Sequence, residues 1–388
     1  MKISKAFLRI GIDARFAGPE GTGLGKYTEK LILNLTKIDK KNEYSIFLRS
    51  KNWNFFRLPQ NFKKILADIK WYSKEEQLKL SGIFSKERLD IVHVPHFNVP
   101  VLYRGKFVVT IHDLIHHQFS EQSTSTKNFL MFKIKRAAYK TIIYSAVRRA
   151  AKIIVPSNFV KKQVIGAFKI NPDRIAVTYE AAEEEYFQTG NWKQETGNLL
   201  KKYGIETPFI IYVGNAYPHK NLERLLDTVK ILTTNYQLPT TNLVIVCPRD
   251  VFSERLNAEI AKRNLESQVT LCGYLESKDL KLLFDYAEAY VFPSLSEGFG
   301  IPGLNAMAAN IPVICSNIPT LKEIYQDAAL YFDPHSPQDI ANKIKKVLAD
   351  AKTRMDLVEK GIERVKKYSW QKMACQTLDV YESVFSRK

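Results

Sequence analysis

Two doubly wound α/β domains, each built on a parallel sheet and facing the other across a cleft, are the fold class this sequence predicts. Three observations carry that reading. The chain has 388 residues, which at ordinary domain sizes corresponds to about two or three domains. Short β-branched runs alternate with helix-length amphipathic stretches from end to end. Strands separated by helical crossovers form parallel sheets covered on both faces, and here the alternation falls into two series.

In the first series the strand candidates are Leu8–Ile12, Tyr44–Leu48, Ile91–Val94, Phe107–Ile111, Lys152–Val155 and Ile175–Thr178. In the second they are Phe209–Val213, Leu243–Cys247, Val269–Cys272, Ala289–Phe292, Val313–Cys315 and Leu330–Phe332. Helical patterns fill the gaps, among them Lys26–Leu35, Leu222–Leu232 and Pro337–Ala349. A polar stretch around Glu180–Pro208 separates the series, so residues 1–187 are expected as one domain and 188–368 as the next. α/β sheets bind ligands outside the carboxyl ends of their strands, and the loops following these runs are where chemistry is expected.

Charge divides the chain at the same place. The net charge is +18; residues 1–190 hold 33 basic and 17 acidic side chains, residues 191–388 hold 25 and 23. The first half is built to meet anions and the second is not. No apolar run reaches the length of a membrane span, and Arg9 and Asp13 interrupt any N-terminal signal core. The four cysteines form no C-x-x-C pair, and a reducing cytoplasm is expected. No nucleic-acid-binding motif accompanies the basic excess, so a nucleic-acid partner is not expected.

Four segments can carry chemistry. Gly21-Thr22-Gly23-Leu24-Gly25 precedes a helix expected to start near Lys26, and a helix N-terminus approached through glycines suits a phosphate; a plain flexible turn fits equally well. His112 and Asp113 follow a buried-looking strand in VTIHDLIHH, and with His93, His96, His116 and His117 they place most of the histidines in this half. Their spacing matches no zinc signature, and loop histidines at a polar cleft are the better reading. The segment Gly214–Asn221 brings Asn215, His219 and Lys220 to a strand end, where a lysine can neutralise a diphosphate. In PSLSEGFGIPGLNAMA, Glu297 precedes Gly298, Phe299, Gly300 and Ile301, a glycine turn leading into a helix whose backbone N–H groups suit a phosphate or sugar. The chain has no Asp-x-Asp pair, the usual carboxylates for a metal-bound diphosphate.

With these segments in order, the sequence resembles a retaining glycosyltransferase of family 4, with the GT-B fold. GIDAR with GTGLGKYT, HVPHFNVP, VTIHDLIHHQF, IIVPSNFVKK and EAAEEEYF resemble the family's acceptor-side domain. YVGNAYPHKNLERLL, VTLCGY, FPSLSEGFGIPGLNAMA and SNIPTLKEIYQDAALYFDP resemble its donor domain, and the tail, residues 369–388, resembles its closing helix, which crosses back onto the first domain. The resemblance covers nearly the whole chain.

It implies that His112 contacts the transferred sugar, Lys220 binds the donor diphosphate, Glu297 is the first glutamate of E-x7-E, and Gly298–Ile301 give backbone contacts. Gly23, Gly25, Asn215 and His219 join the expected donor side, and His96, Asp113 and His116 the acceptor side. Two positions depart from the family: the second glutamate, which binds the nucleotide ribose, falls at Asn305, and the usual basic residue before the lysine falls at His219. Losing a charge-assisted bond at Asn305 costs about 1 kcal/mol.

The implied activity is hexosyl transfer, mannose favoured, from a nucleotide-diphosphate sugar to a lipid-linked or polysaccharide acceptor in cell-envelope glycan synthesis. No cofactor or metal is expected. GDP-mannose is the first choice of donor, with UDP-sugars behind it. A degenerate member that binds sugar or lipid without catalysis is the alternative, motivated by Asn305 and His219.

The run Phe129–Val155, with Lys133, Lys135, Arg136, Lys140, Arg148, Arg149 and Lys152 among apolar residues, leaves two readings open. It is either a basic helix lying on the anionic inner face of the cell membrane, or a helix packed on its own sheet with a solvated charged face.

Overall fold

The computed structural model describes residues 7–118, 129–188, 193–235 and 242–385. The chain gathers into two compact units: Met1–Leu114 with Lys127–Glu180 and Ser369–Lys388 in the first, Ile115–Thr126 with Ala181–Tyr368 in the second.

The first unit is a sheet of β1 (Arg9–Asp13), β2 (Glu43–Leu48), β3 (Phe62–Leu66), β4 (Ile91–Val94), β5 (Phe107–Thr110), β6 (Lys152–Val155) and β7 (Ile175–Val177). The strands lie in the order β3-β2-β1-β4-β5-β6-β7, all parallel. The second unit holds β8 (Phe209–Val213), β9 (Asn242–Val246), β10 (Val269–Leu271), β11 (Ala289–Phe292), β12 (Val313–Ser316) and β13 (Ala329–Phe332). Their order is β10-β9-β8-β11-β12-β13, again all parallel. Each predicted strand is present within one residue at either end.

The strand the sequence reading missed is β3. Its sequence, FKKIL, puts Lys63 and Lys64 where an apolar run was sought, which an edge strand paired only with β2 tolerates.

Both sheets are doubly wound, with the order reversing between β1 and β4 and between β8 and β11. The central strands are buried on both faces, and such sheets present their ligand crevice at these reversals. In the first unit the crevice end of β1 is tied down by Arg15, fully buried, whose guanidinium bonds both carboxylate oxygens of Asp13 (2.8 and 2.7 Å), Glu76 (2.6 Å) and the carbonyl of Ile69 (3.1 Å). The helix Trp370–Ser383, started by Ser369 accepting from the Lys372 amide, packs on the helix Thr22–Ile38 of the same unit.

Two helix expectations need correction. The first helix starts at Thr22 rather than near Lys26, so the glycine segment is its first turn and not a loop before it. The basic run ends as a helix at Arg149, because Lys152–Val155 is β6. That helix buries Ile143, Ala146 and Val147 in the core of its unit, while Lys133, Lys135, Lys140, Tyr144, Ile134 and Arg148 face solvent.

Candidate active site

In the second unit the loops after β8 and β11, the two strands at the order reversal, supply the strongest constellation. Lys220 Nζ lies 2.6 Å from Glu297 Oε1 and 5.7 Å from the centre of the Phe292 ring. Both charged side chains are largely buried, at 14% and 10% exposure. Glu297 is therefore not the solvated turn residue its sequence setting allows.

Asn221, in the left-handed conformation, holds the lysine's loop to its surroundings. Its amide donates to the carbonyls of Pro293 (3.0 Å) and Pro334 (2.8 Å). The Leu295 amide donates to the His219 carbonyl, and Thr320 donates to the Glu297 carbonyl. His219 is nearly buried, its ring 5.9 Å from that of Tyr217.

The turn beyond Glu297 shows why glycine is needed. Gly300 sits at φ 102° as the N-cap of the helix Ile301–Ala308, and a Cβ there would meet the Tyr325 hydroxyl at 2.4 Å. Gly300 offers no side-chain cap; Pro302 has no N–H and that of Gly303 donates to the Gly300 carbonyl (3.2 Å), so an anion at this helix start would meet the Ile301 N–H and the positive end of the helix. Phe299 is buried edge-on to Tyr368, leaving only its backbone to the turn.

Three buried tyrosines, missed by sequence reasoning, aim these loops. Tyr212 donates to Asn215 O (2.8 Å), Tyr290 to Val213 O (3.3 Å) and Tyr325 to Gly300 O. Burial first, and the nearby charge of Glu297 as a lesser cause, push all three phenols well above their ordinary range. They stay neutral donors that tie down loop carbonyls. Two of them occupy strand positions that read only as apolar β-pattern, and the signal was their hydroxyl.

Asn305 does something the family pattern does not forecast. Its carbonyl accepts from the Glu183 amide (2.9 Å) and its amide faces Glu183 Oε1 (3.4 Å), both residues being buried. The side chain at the expected ribose position is thus committed within its own unit, beside a carboxylate supplied from a different segment.

The first unit carries a second pair. His112 lies just beyond β5, its Nδ1 3.2 Å from Glu180 Oε1 and its Nε2 donating to the carbonyl of Pro95 at 3.1 Å. A carboxylate and a carbonyl both only accept, so each ring nitrogen brings a proton or the Glu180 carboxyl does. Tyr27 packs edge-on to the ring at 4.7 Å and 83°. Glu180, 68 residues away in sequence, is a partner that no local pattern announces.

His96 sits against the rings of Phe16 (5.4 Å) and Phe97 (4.0 Å), with Nε2 3.1 Å from the Tyr72 hydroxyl. Asp113 is half-buried and raises the Tyr139 phenol by its charge, after burial. His116 lies on the short helix Ile115–Gln118, and its side chain is outside the described residues. His93 is not a loop histidine: it is on β4, fully buried, and bonds Tyr381 and Thr110.

The glycines of the first helix divide in role. A Cβ on Gly25 would strike the carbonyls of Gly18 (2.4 Å) and Phe16 (2.7 Å), so packing demands that glycine. A Cβ on Gly23 would meet nothing within 4 Å. Between them and the preceding turn, Thr22 holds φ 48°, a strained conformation for a β-branched residue.

Two doubly wound parallel units in one chain, the second ending its central strands in a lysine, a carboxylate and an uncapped helix N-terminus, define a GT-B glycosyltransferase. The family model described as Glycosyltransferase Family 4 matches residues 23–185, and that described as Glycosyl transferases group 1 matches residues 197–364. The O-antigen chain mannosyltransferase RfbU of Salmonella typhimurium is 25% identical over 352 residues, spanning 87% of this chain and 91% of its own length. The O-antigen chain mannosyltransferase B of Escherichia coli is 26% identical over 379 residues, spanning 93% and 96%. Among solved structures, sucrose-phosphate synthase from Thermosynechococcus elongatus superposes with a TM-score of 0.75 at 19% identity, covering 97% of this chain and 99% of that one. Residues 23–185 thus form a glycosyltransferase family 4 domain and residues 197–364 a glycosyl transferases group 1 domain, and the chain's class of reaction is hexosyl transfer.

Proposed function

We propose that this protein transfers mannose from GDP-mannose to a lipid-linked or polysaccharide acceptor in cell-envelope glycan synthesis, with retention of configuration and without metal. The observation that carries the proposal is the Lys220–Glu297 pair beside the uncapped Ile301–Ala308 helix start. An ammonium and the positive end of a helix stabilise the charge that develops on a departing diphosphate. With no Asp-x-Asp pair in the chain, that charge falls to them. Mannose and the envelope setting are supported by the relatives, which are named as O-antigen chain mannosyltransferases.

In this reading the bond from the sugar's anomeric carbon to the phosphate oxygen breaks as the acceptor oxygen bonds the same face. The acceptor's proton passes to the departing phosphate, and His112 holds the sugar. Calorimetry with GDP-mannose, UDP-glucose and UDP-N-acetylglucosamine, with and without EDTA, tests the donor. Detection of product and its anomeric configuration tests the reaction. Tightest binding of GDP-mannose, insensitive to EDTA, and an α-linked product are expected; tightest binding of a UDP-sugar overturns the donor choice, and an inverted product the mechanism. Asn305, taken up by Glu183, favours a second reading in which the chain binds without catalysis. Binding of a donor with no product from any acceptor would establish that one.

The working surface in this proposal is the exposed basic face of the helix Phe129–Arg149, set on an anionic leaflet. Ile134 and Tyr144 are 56% and 52% exposed among its lysines and arginines. Arg149 ties the helix to the carbonyls of Val101 and Tyr103, beside the exposed Leu102. Co-sedimentation with phosphatidylglycerol vesicles at low salt is expected, and its absence rejects the leaflet. Among the described residues no helix is long and apolar enough to cross a membrane.

A further inference from the structure

Behind His112 the first unit contains a buried polar chain that packing alone does not call for. The Tyr381 hydroxyl lies 2.6 Å from His93 Nδ1, and His93 Nε2 lies 2.8 Å from Thr110 Oγ1. Thr110 Oγ1 lies 3.3 Å from the Tyr27 hydroxyl, and Tyr27 is the ring set edge-on against His112. All four residues are 0 to 1% exposed. Buried polar groups are costly unless each has a partner, and a fully satisfied chain of them fixes one arrangement.

Strand periodicity shows what this chain arranges. His93 is two residues before Pro95, whose carbonyl accepts from His112 Nε2, and Thr110 is two residues before His112 itself. Residues two apart on a strand share a face. The His93–Thr110 bond therefore joins β4 to β5 at the point where their ends deliver Pro95 and His112. Burial, and next the charge of His112, push the His93 imidazole down to about 3, so it is neutral, donating from one nitrogen and accepting at the other. Tyr381 belongs to the last helix, Trp370–Ser383.

We propose that this helix is a positioning element for His112: Tyr381, acting through His93, sets the strand ends and the Tyr27 ring that orient the imidazole. The inference rests on reading His112 as the residue that meets the sugar. Tyr381 and His93 act on it without touching substrate. Of the three contacts that orient the His112 ring, the carbonyl of Pro95 and the Tyr27 edge both depend on this chain. The third, Glu180, does not.

The test uses the full chain labelled with ¹⁵N-histidine, with the His112 ring signals assigned by their loss in His112→Asn. Tyr381→Phe removes one hydroxyl and is the primary variant; His93→Gln is the second. In both, the two ring ¹⁵N signals of His112 are expected to move by more than a line width, while those of His219 and His335 in the second unit stay. Unmoved His112 signals in Tyr381→Phe overturn the proposal, whether or not His93→Gln folds.

Turnover of GDP-mannose separates the proposal from the reading beneath it. Tyr381→Phe is expected to lower kcat about fivefold with KM for the donor unchanged, and to cost nothing further in a His112→Ala background. An equal loss in both backgrounds marks a merely structural role. Wild-type turnover by His112→Ala sinks the catalytic reading alone, since the ¹⁵N coupling stands or falls without it.

Discussion

Lys220–Glu297 and His112–Glu180 each set a nitrogen-bearing side chain against a carboxyl group beyond a strand end, at 2.6 and 3.2 Å, yet their surroundings differ in kind. Lys220 has one carboxylate partner and a flexible four-carbon stem, in a loop held by Tyr212 and Tyr290 at the carbonyls of Asn215 and Val213 and by its own Asn221 amide on the carbonyls of Pro293 and Pro334. Its ammonium can turn from Glu297 to a ligand oxygen without disturbing the frame. His112 is held at both ring nitrogens and on one flank, so it cannot turn without breaking a bond. One pair is built to exchange partners and the other to keep its aim. In the proposed function, binding energy and orientation would therefore fall to different units of the chain.

The harshest way to break this contrast is Lys220→Ala. It removes the cation a diphosphate would meet and leaves Glu297, 10% exposed, without the ammonium 2.6 Å away. Donor affinity by calorimetry is expected to fall about a hundredfold or more, since charge-assisted contacts in partly desolvated sites carry a few kcal/mol. An affinity within threefold of wild type would mean that the pair is structural and the diphosphate is held elsewhere.

Glu180→Gln is the matching test in the first unit, and a milder one. The amide nearly keeps the size of the carboxylate but carries no charge to hold the His112 ring nitrogen. A drop in kcat of about tenfold with donor affinity unchanged is expected, measured as GDP-mannose turnover beside calorimetry. Equal losses in affinity and turnover would erase the division of labour between the two pairs.

How much of this was legible in the sequence follows from the range of each contact. Strands such as Ile91–Val94 and Ala289–Phe292 are short apolar runs, and local pattern found them; β3 escaped because Lys63 and Lys64 interrupt it at a sheet edge. Lys220 stands out by its place between a strand end and a helix start and Glu297 by its glycine-rich turn, although nothing local says that residues 77 apart would pair. Glu180 beside His112, and Glu183 beside Asn305 across 122 residues, are products of topology. The start of the first helix was misplaced for a different reason. Three glycines in five residues read as a loop, whereas the turn Pro19–Gly21 and the strained Thr22 feed directly into the helix and Gly25 is required by the carbonyls it faces.

A last test probes the frame behind His112 through acid. His93 is fully buried, and burial foremost pushes its imidazole from 6.5 down to about 3. Between those values the unfolded chain takes up a proton at His93 and the folded one does not. The unfolded state then binds more protons, so stability falls as pH drops from about 6.5 toward 3, by at most about 1.4 kcal/mol per pH unit from this residue. His93→Gln cannot titrate, and its unfolding free energy from urea denaturation should therefore decline less steeply between pH 6 and pH 4 than that of the wild type. Identical slopes in wild type and His93→Gln would mean that His93 takes up its proton in the folded state. A chain of hydroxyls able to admit that charge would be too loose to hold His112 in one orientation, and the contrast between a pair that turns and a pair that is fixed would lose its second half.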